Sequence, residues 1–277
     1  MHNVKSNKLL RNYKDTSINF HNCLQKDHSE EFMISPENIG DYLSIDELTV
    51  AKGELYTFIT NKAGLGKQGS LVATIKGTKT KDIIAVLEKI PRFKRNLVKE
   101  VTLDMANNME ASVRTAFPYA KLVTDRFHVV KLLIDALQHV RINYRWEALA
   151  IENEQIKICR KKGEKYKAKE FTNGDTPKQL LARSRYILAK KEHKWTETQR
   201  ERAIMLFEEY PLLQKVYKHI MKFRNIYELK DIQLAEKRIN EWLKETEVLG
   251  IVELNTVSNT ILNNLVLLPG GVSRSFF

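Results

Sequence analysis

The apolar positions in the first half of the chain come in short runs, whereas those in the second half recur at helical spacing. Leu43 and Ile45 alternate with Ser44, which predicts a strand from Tyr42 ending on the adjacent acids Asp46 and Glu47. Strands are also predicted over 55–60 and 70–75, joined by a glycine-bearing turn at 61–69. Gly64, Gly66 and Gly69 invite comparison with a phosphate loop. No Gly-Lys-Ser/Thr ending opens a helix there, however, so the turn reads as part of a hairpin. A helix over 81–90 sets Ile83, Ile84 and Leu87 on one face and closes at Pro91. Val101-Thr102-Leu103 has the composition of a buried strand, 110–117 reads as a short amphipathic helix stopped by Pro118, and 121–124 reads as a further strand. The order is three strands, helix, strand, helix, strand, an α/β arrangement that several layouts share.

After His128 the pattern turns helical. Val129, Leu132, Leu133, Ala136, Leu137, Val140 and Tyr144 lie on one face of a long amphipathic helix. Its continuation over 156–170 holds seven basic residues against two acids, with Tyr166 interleaved. That run reads in two ways: a track for a phosphate backbone through Lys161, Lys162, Lys165 and Lys167, or a solvated helix end or loop. Thr176-Pro177-Lys178-Gln179 and Thr196-Glu197-Thr198-Gln199 are capping boxes that open further helices. Helices are expected from Leu212 to about Tyr227 and from Asp231 to Leu249, the latter closed by Gly250. Trp146, Trp195, Phe207, Tyr217 and Trp242 sit at helical spacing and are expected in the core.

Charge adds a partner class. With 46 basic against 34 acidic residues, the net charge of +12 favours a polyanion, although a basic protein without specific nucleic-acid contacts has the same balance. Cys23 and Cys159 form no pair motif, which suits a reducing cytoplasm. No apolar run reaches membrane-spanning length and no signal-peptide core opens the chain, so a soluble cytoplasmic protein is expected. His21, Cys23 and His28 lack zinc-finger spacing and read as surface or packing residues. The expected organisation is a polar N-terminal segment over 1–35, an α/β core over 36–130, a helical block over 131–250 and a closing segment over 251–277.

The candidate chemistry lies at strand ends. Asp104 follows one strand and Asp125 follows the next, succeeded by Arg126-Phe127-His128. An α/β sheet builds sites at the carboxyl ends of its strands. Two acids on neighbouring ends repel unless a cation or a proton lies between them, which points to a metal site. Strand-end aspartates also cap turns and helices, and that alternative stays open.

The stretch LDMANNMEASVRTAFPYAKLVTDRFHVVK resembles the core of bacterial insertion-sequence transposases with a DDE catalytic triad, specifically the ISL-three group. The likeness extends over about Pro36 to Asn263 and includes NGDTPKQLLARSRY. The resemblance implies a ribonuclease-H-like mixed sheet with a large all-helical insertion, two-metal phosphoryl transfer, and DNA cleavage and strand transfer. The family's Leu-Ser-x-Asp-Glu carries its first catalytic acid onto Asp46, with Glu47 beside it, and its second acid onto Asp104. Asp46 and Asp104 are thereby the implied catalytic and metal-binding pair. Asp125, Arg126 and His128 are implied neighbours that orient the site or anchor the next helix. Hard oxygen ligands and phosphate substrates suit Mg²⁺, with Mn²⁺ as a substitute.

The third acid departs from the pattern. Relatives place it on a later helix, in a Thr-Asn-x-x-x-Glu-x-x-Asn context, whereas this chain has no acid after Glu253. Glu253 and Glu241 are the substitutes nearest that position. The tail, with Pro269-Gly270-Gly271, does not read as a helix, and truncation of the catalytic domain is expected. Two functions follow: a DDE transposase with an incomplete acid set, or a non-catalytic remnant that binds DNA or oligomerises. The partners expected are the element's DNA ends and target, further copies of the chain, and a separate DNA-binding subunit, because no helix-turn-helix precedes the core.

Overall fold

The computed structural model describes residues 25–49, 53–104 and 107–266. The chain divides into two compact units, Met1–Asp125 and Arg126–Phe277.

The first unit is a mixed α/β layer. Its six strands are β1 (Phe32–Ile34), β2 (Tyr42–Thr49), β3 (Leu55–Asn61), β4 (Leu71–Lys76), β5 (Glu100–Leu103) and β6 (Lys121–Thr124), in the order β1-β4-β3-β2-β5-β6. The β1, β4, β3 and β2 pairings are antiparallel, and β5 and β6 run parallel to β2. Parallel neighbours need crossovers. These are α1 (Thr80–Leu87) with α2 (Arg92–Arg95) ahead of β5, and α3 (Asn107–Ala116) ahead of β6. The core forms on one face of the sheet. Leu43 and Val101 are fully buried and pack with Ile83, Leu87, Val113 and Phe117, while Ser44 and Thr102, the next residues on the strands, are half-buried.

Two features of the sheet differ from the sequence reading. The segment expected to be merely polar contributes β1, an edge strand with Phe32 opposite Ile75. Three residues are too few to show a period. The strand expected to end on Asp46 and Glu47 continues to Thr49, so both acids lie inside β2. The reason is its antiparallel partner: β3 pairs with β2 from Leu43↔Asn61 to Thr49↔Leu55, whereas the β5 pairing stops at Ser44↔Thr102. The glycine-bearing turn is the tip of the β3–β4 hairpin. It needs Gly64 because a Cβ there would lie 2.5 Å from Ser70 Cβ.

The second unit is helical: α4 (Arg126–Lys162), α5 (Pro177–Arg183), α6 (Arg185–Leu188), α7 (Glu197–Glu209), α8 (Pro211–Ile226), α9 (Ile232–Leu249) and α10 (Val252–Val266). The local start and stop signals act as read. Gln179 Oε1 accepts from Thr176 N at 2.9 Å, Asp231 Oδ1 accepts from Gln233 N at 2.9 Å, and Gly250 ends α9 with φ 64°. The long helix ends at Lys162, where Gly163 turns out of it at φ 71°, so the rest of the basic run is the loop that the sequence left open beside a helix end. Trp242, Tyr217 and Phe223 are buried core residues, but Trp146 is 63% exposed, a correction to its expected place in the core. It stands on the outward face of α4, which helical spacing alone does not distinguish from the inward one. Helix α10 covers sequence for which no helix was expected. Among the described residues no helix is long and apolar enough to cross a membrane.

Asp175, just ahead of α5, is completely buried and ties this unit together. Its carboxylate accepts from Arg183, from Arg202 Nε at 3.0 Å and from Asn173 Nδ2 at 3.0 Å. Burial pushes its pKa up, but the two guanidiniums outweigh that and hold it below the usual aspartate value.

Candidate active site

Strands β2, β5 and β6 lie side by side in parallel, and each brings an aspartate to the same level. Ser44 is beside Thr102, and Leu103 is beside Thr124. Counting two residues on from the first pair sets Asp46 beside Asp104; counting one on from the second sets Asp104 beside Asp125. The Asp125 backbone N donates to Leu103 O at 2.8 Å, so the β5–β6 ladder reaches this level. Neighbouring strands are about 4.8 Å apart, and the β2–β5 pairing ends at Ser44↔Thr102, two residues short of the Asp46–Asp104 level. All three residues are half-buried.

The pleat assigns Asp46 and Asp104 to the face of Ser44 and Thr102, opposite the helix-covered core. Glu47 falls on the other face, and its backbone N donates to Asp46 Oδ1 at 2.9 Å. A residue that sequence reading missed joins this face. Lys62, in the turn after β3, places Nζ 3.0 Å from Glu100 Oε1 and 2.9 Å from Thr102 Oγ1. Its ammonium thus sits one pleat repeat before Asp104. A lysine in a polar turn carries no sequence signal of such a partnership.

Carboxylates on adjacent strands need a cation or a proton to offset their repulsion. Among the described residues no group of three or more His, Cys, Asp and Glu side chains is gathered as a metal cage. Magnesium does not require one, since it keeps several waters and is bound through one or two carboxylates plus substrate phosphates. The hard oxygen donors of Asp46 and Asp104, side by side, match that mode.

The remaining candidates belong to the second unit. Arg126 places its guanidinium 5.3 Å from the Tyr227 ring centroid, and His128 meets Phe127 edge-on at 5.7 Å. Glu241 accepts from Arg238 Nη1 at 2.8 Å, and Glu253 from Asn143 Nδ2 at 3.3 Å. Lys161, Lys162, Lys165 and Lys167 are all exposed at and beyond the end of α4. His21 and Cys23 lie outside the described residues, as does the tail beyond 266. His28, stacked on Phe32 with centroids 4.1 Å apart, is a packing residue.

Comparison with known proteins gives this geometry a lineage. The family profile of the ISL-three DDE group, described as a transposase, matches residues 43–267. The transposase for insertion sequence element IS1001 of Bordetella parapertussis is 22% identical over 222 residues, covering 80% of this chain and 48% of that protein. The chain therefore spans about half the length of the curated relative it matches. It belongs to the ISL-three family of transposases.

Proposed function

We propose that this transposase handles DNA through a DDE-type site on a ribonuclease-H-like core, with Asp46 and Asp104 as two of its catalytic acids. The observation that supports this reading most directly is the parallel β2–β5 register, Ser44 beside Thr102, whose extension by two residues would bring Asp46 level with Asp104, just past the end of β5. Both would hold Mg²⁺ or Mn²⁺. Bound there, the ions supply activation of a water or 3′-hydroxyl and neutralise charge at the phosphorus under attack.

The chain's own groups prepare the site. The Glu47 N–H fixes one oxygen of Asp46. Asp125, one strand further, adds negative potential at the rim. Lys62 limits that potential from below by its contact with Thr102. In this reading residues 36–130 form the catalytic core and 131–250 a helical insertion. Lys161, Lys162, Lys165 and Lys167 then meet phosphates of the element's ends or target, and sequence reading falls to a further segment or subunit. Assembly of several copies on the two ends belongs to the same proposal.

A DDE site uses three acids, and no Asp or Glu follows Glu253 in these 277 residues. This stretch of chain taken alone is therefore expected to hold its cation weakly and to join strands poorly. Mn²⁺ titration followed by water-proton relaxation tests the pair directly. Asp46→Asn and Asp104→Asn should each weaken binding about tenfold or more. Unchanged Mn²⁺ affinity in both variants would sink the assignment.

A further inference from the structure

Helix α8 carries no acidic residue in its sixteen positions, PLLQKVYKHIMKFRNI. Its inward face buries Leu213, Val216, Tyr217, Ile220 and Phe223. Its charged outward stripe is Lys215, Lys218 and Lys222, all exposed, at i, i+3 and i+7. Packing against α9 brings Lys244 to the same side, and these four lysines line a groove of about 600 Å³ with a single acid, Glu245. That acid is committed, because Lys222 Nζ lies 2.5 Å from Glu245 Oε1. Among the described residues the side chains of Lys215, Lys218 and Lys244 have no ion pair or hydrogen bond.

Like charges at i, i+3 and i+7 destabilise a helix unless something outside it balances them. Some lysines of this unit are matched: Lys169 with Glu209, Lys178 with Glu152, and Lys191 with Glu228. On the α8–α9 face three lysines share one groove without such a match. The stripe rises about 10 Å from Lys215 to Lys222, and each DNA strand carries a phosphate about every 3.4 Å along the axis. One helix face is thus long enough to reach more than one phosphate of a strand.

We propose that Lys215, Lys218 and Lys244, flanked by Lys222, form a docking face for the phosphate backbone of duplex DNA. It is separate from the Lys161–Lys167 run and rests on the reading of this chain as a DNA-handling transposase. The face carries no base-reading group, so its contribution is independent of sequence and set by salt.

The test is a salt series of fluorescence-anisotropy titrations of the full chain on a duplex oligonucleotide of arbitrary sequence. The triple variant Lys215→Ala, Lys218→Ala, Lys244→Ala should lower the slope of log K against log salt by about one per lysine. Alanine favours helix, so circular dichroism should be unchanged. Arginine at the same three positions should keep the slope, and Glu245→Gln, which releases Lys222, should steepen it by up to about one. A wild-type slope in the alanine variant would overturn the docking face while leaving the DNA reading intact. Failure of the wild-type chain to bind DNA at any salt concentration would overturn that reading and the face with it. Polyglutamate is the second probe: if the alanine variant loses polyglutamate but keeps its DNA slope, the face serves an acidic protein and the proposal falls.

Discussion

Lys62 Nζ donates to Thr102 Oγ1 at 2.9 Å, and Thr102, on β5, stands two residues before Asp104, which follows the strand. A turn residue is thus bound to the strand that carries a candidate metal ligand. Lys62→Gln keeps a donor there but removes the charge. At roughly 7 Å, two residues along a strand, an ammonium opposes a divalent ion by on the order of 1 kcal/mol in water. Mn²⁺ binding should tighten roughly fivefold in this variant. Weaker binding, measured by the same relaxation titration, would mean that Lys62 supports the cation rather than opposing it.

Gly64 closes the turn that holds Lys62. Alanine there would bring a Cβ to 2.5 Å from Ser70 Cβ and 2.9 Å from Ser70 Cα, so backbone must move. Gly64→Ala should cost about 1–3 kcal/mol in urea unfolding and should also reproduce part of the Lys62→Gln effect on Mn²⁺. A variant of normal stability would show that the hairpin tip yields without strain.

Asp175 predicts an acid-sensitive component of stability in the helical unit. Its folded pKa lies below the usual value, so its contribution is complete above the unfolded pKa, about 3.9. The contribution is lost as pH falls through the lower folded value. Asp175→Ala leaves Arg202 without its partner and should cost about 3 kcal/mol at pH 7. The deficit should shrink in unfolding experiments carried toward pH 2. A constant deficit across that range would assign the loss to packing instead.

His219 predicts a second pH window. Burial drives its pKa down to about 4, Glu245 pulls it up, and Lys222 pushes it down again. Its Nε2 lies 2.7 Å from Thr246 Oγ1 and its ring stacks on Trp242 at 4.6 Å. Below about pH 6.5 the unfolded chain takes up a proton that the folded chain refuses. Stability should therefore fall between pH 6.5 and pH 4, by about 3 kcal/mol from this group. His219→Gln should flatten the slope in that window, and an unchanged slope would place the titration elsewhere.

What the sequence determined by itself was everything governed by neighbours a few residues apart. The capping boxes at Thr176 and Thr196, the Asp231 cap and the Gly250 stop are closed by partners within four positions, and the helices begin and end there. Strands β5 and β6 were legible because each is a short apolar run followed by an aspartate, and the family pattern named Asp46 from a five-residue motif. Helical periodicity placed Trp242 in the core but not Trp146 outside it, because a period shows that faces exist without showing which one is covered.

Only the tertiary structure decided what depends on partners distant along the chain. β1 exists because Phe32 finds Ile75, and β2 continues past Asp46 because β3 pairs with it as far as Thr49. The row of Asp46, Asp104 and Asp125 is a matter of register between strands. Lys62 reaches Thr102 across forty residues of sequence, and Lys244 joins the lysines of α8 only through the packing of two helices. Register and packing are set by the burial of Leu43, Val101, Tyr217 and Trp242 against residues far away in sequence, and a local pattern carries no record of which surface will meet which.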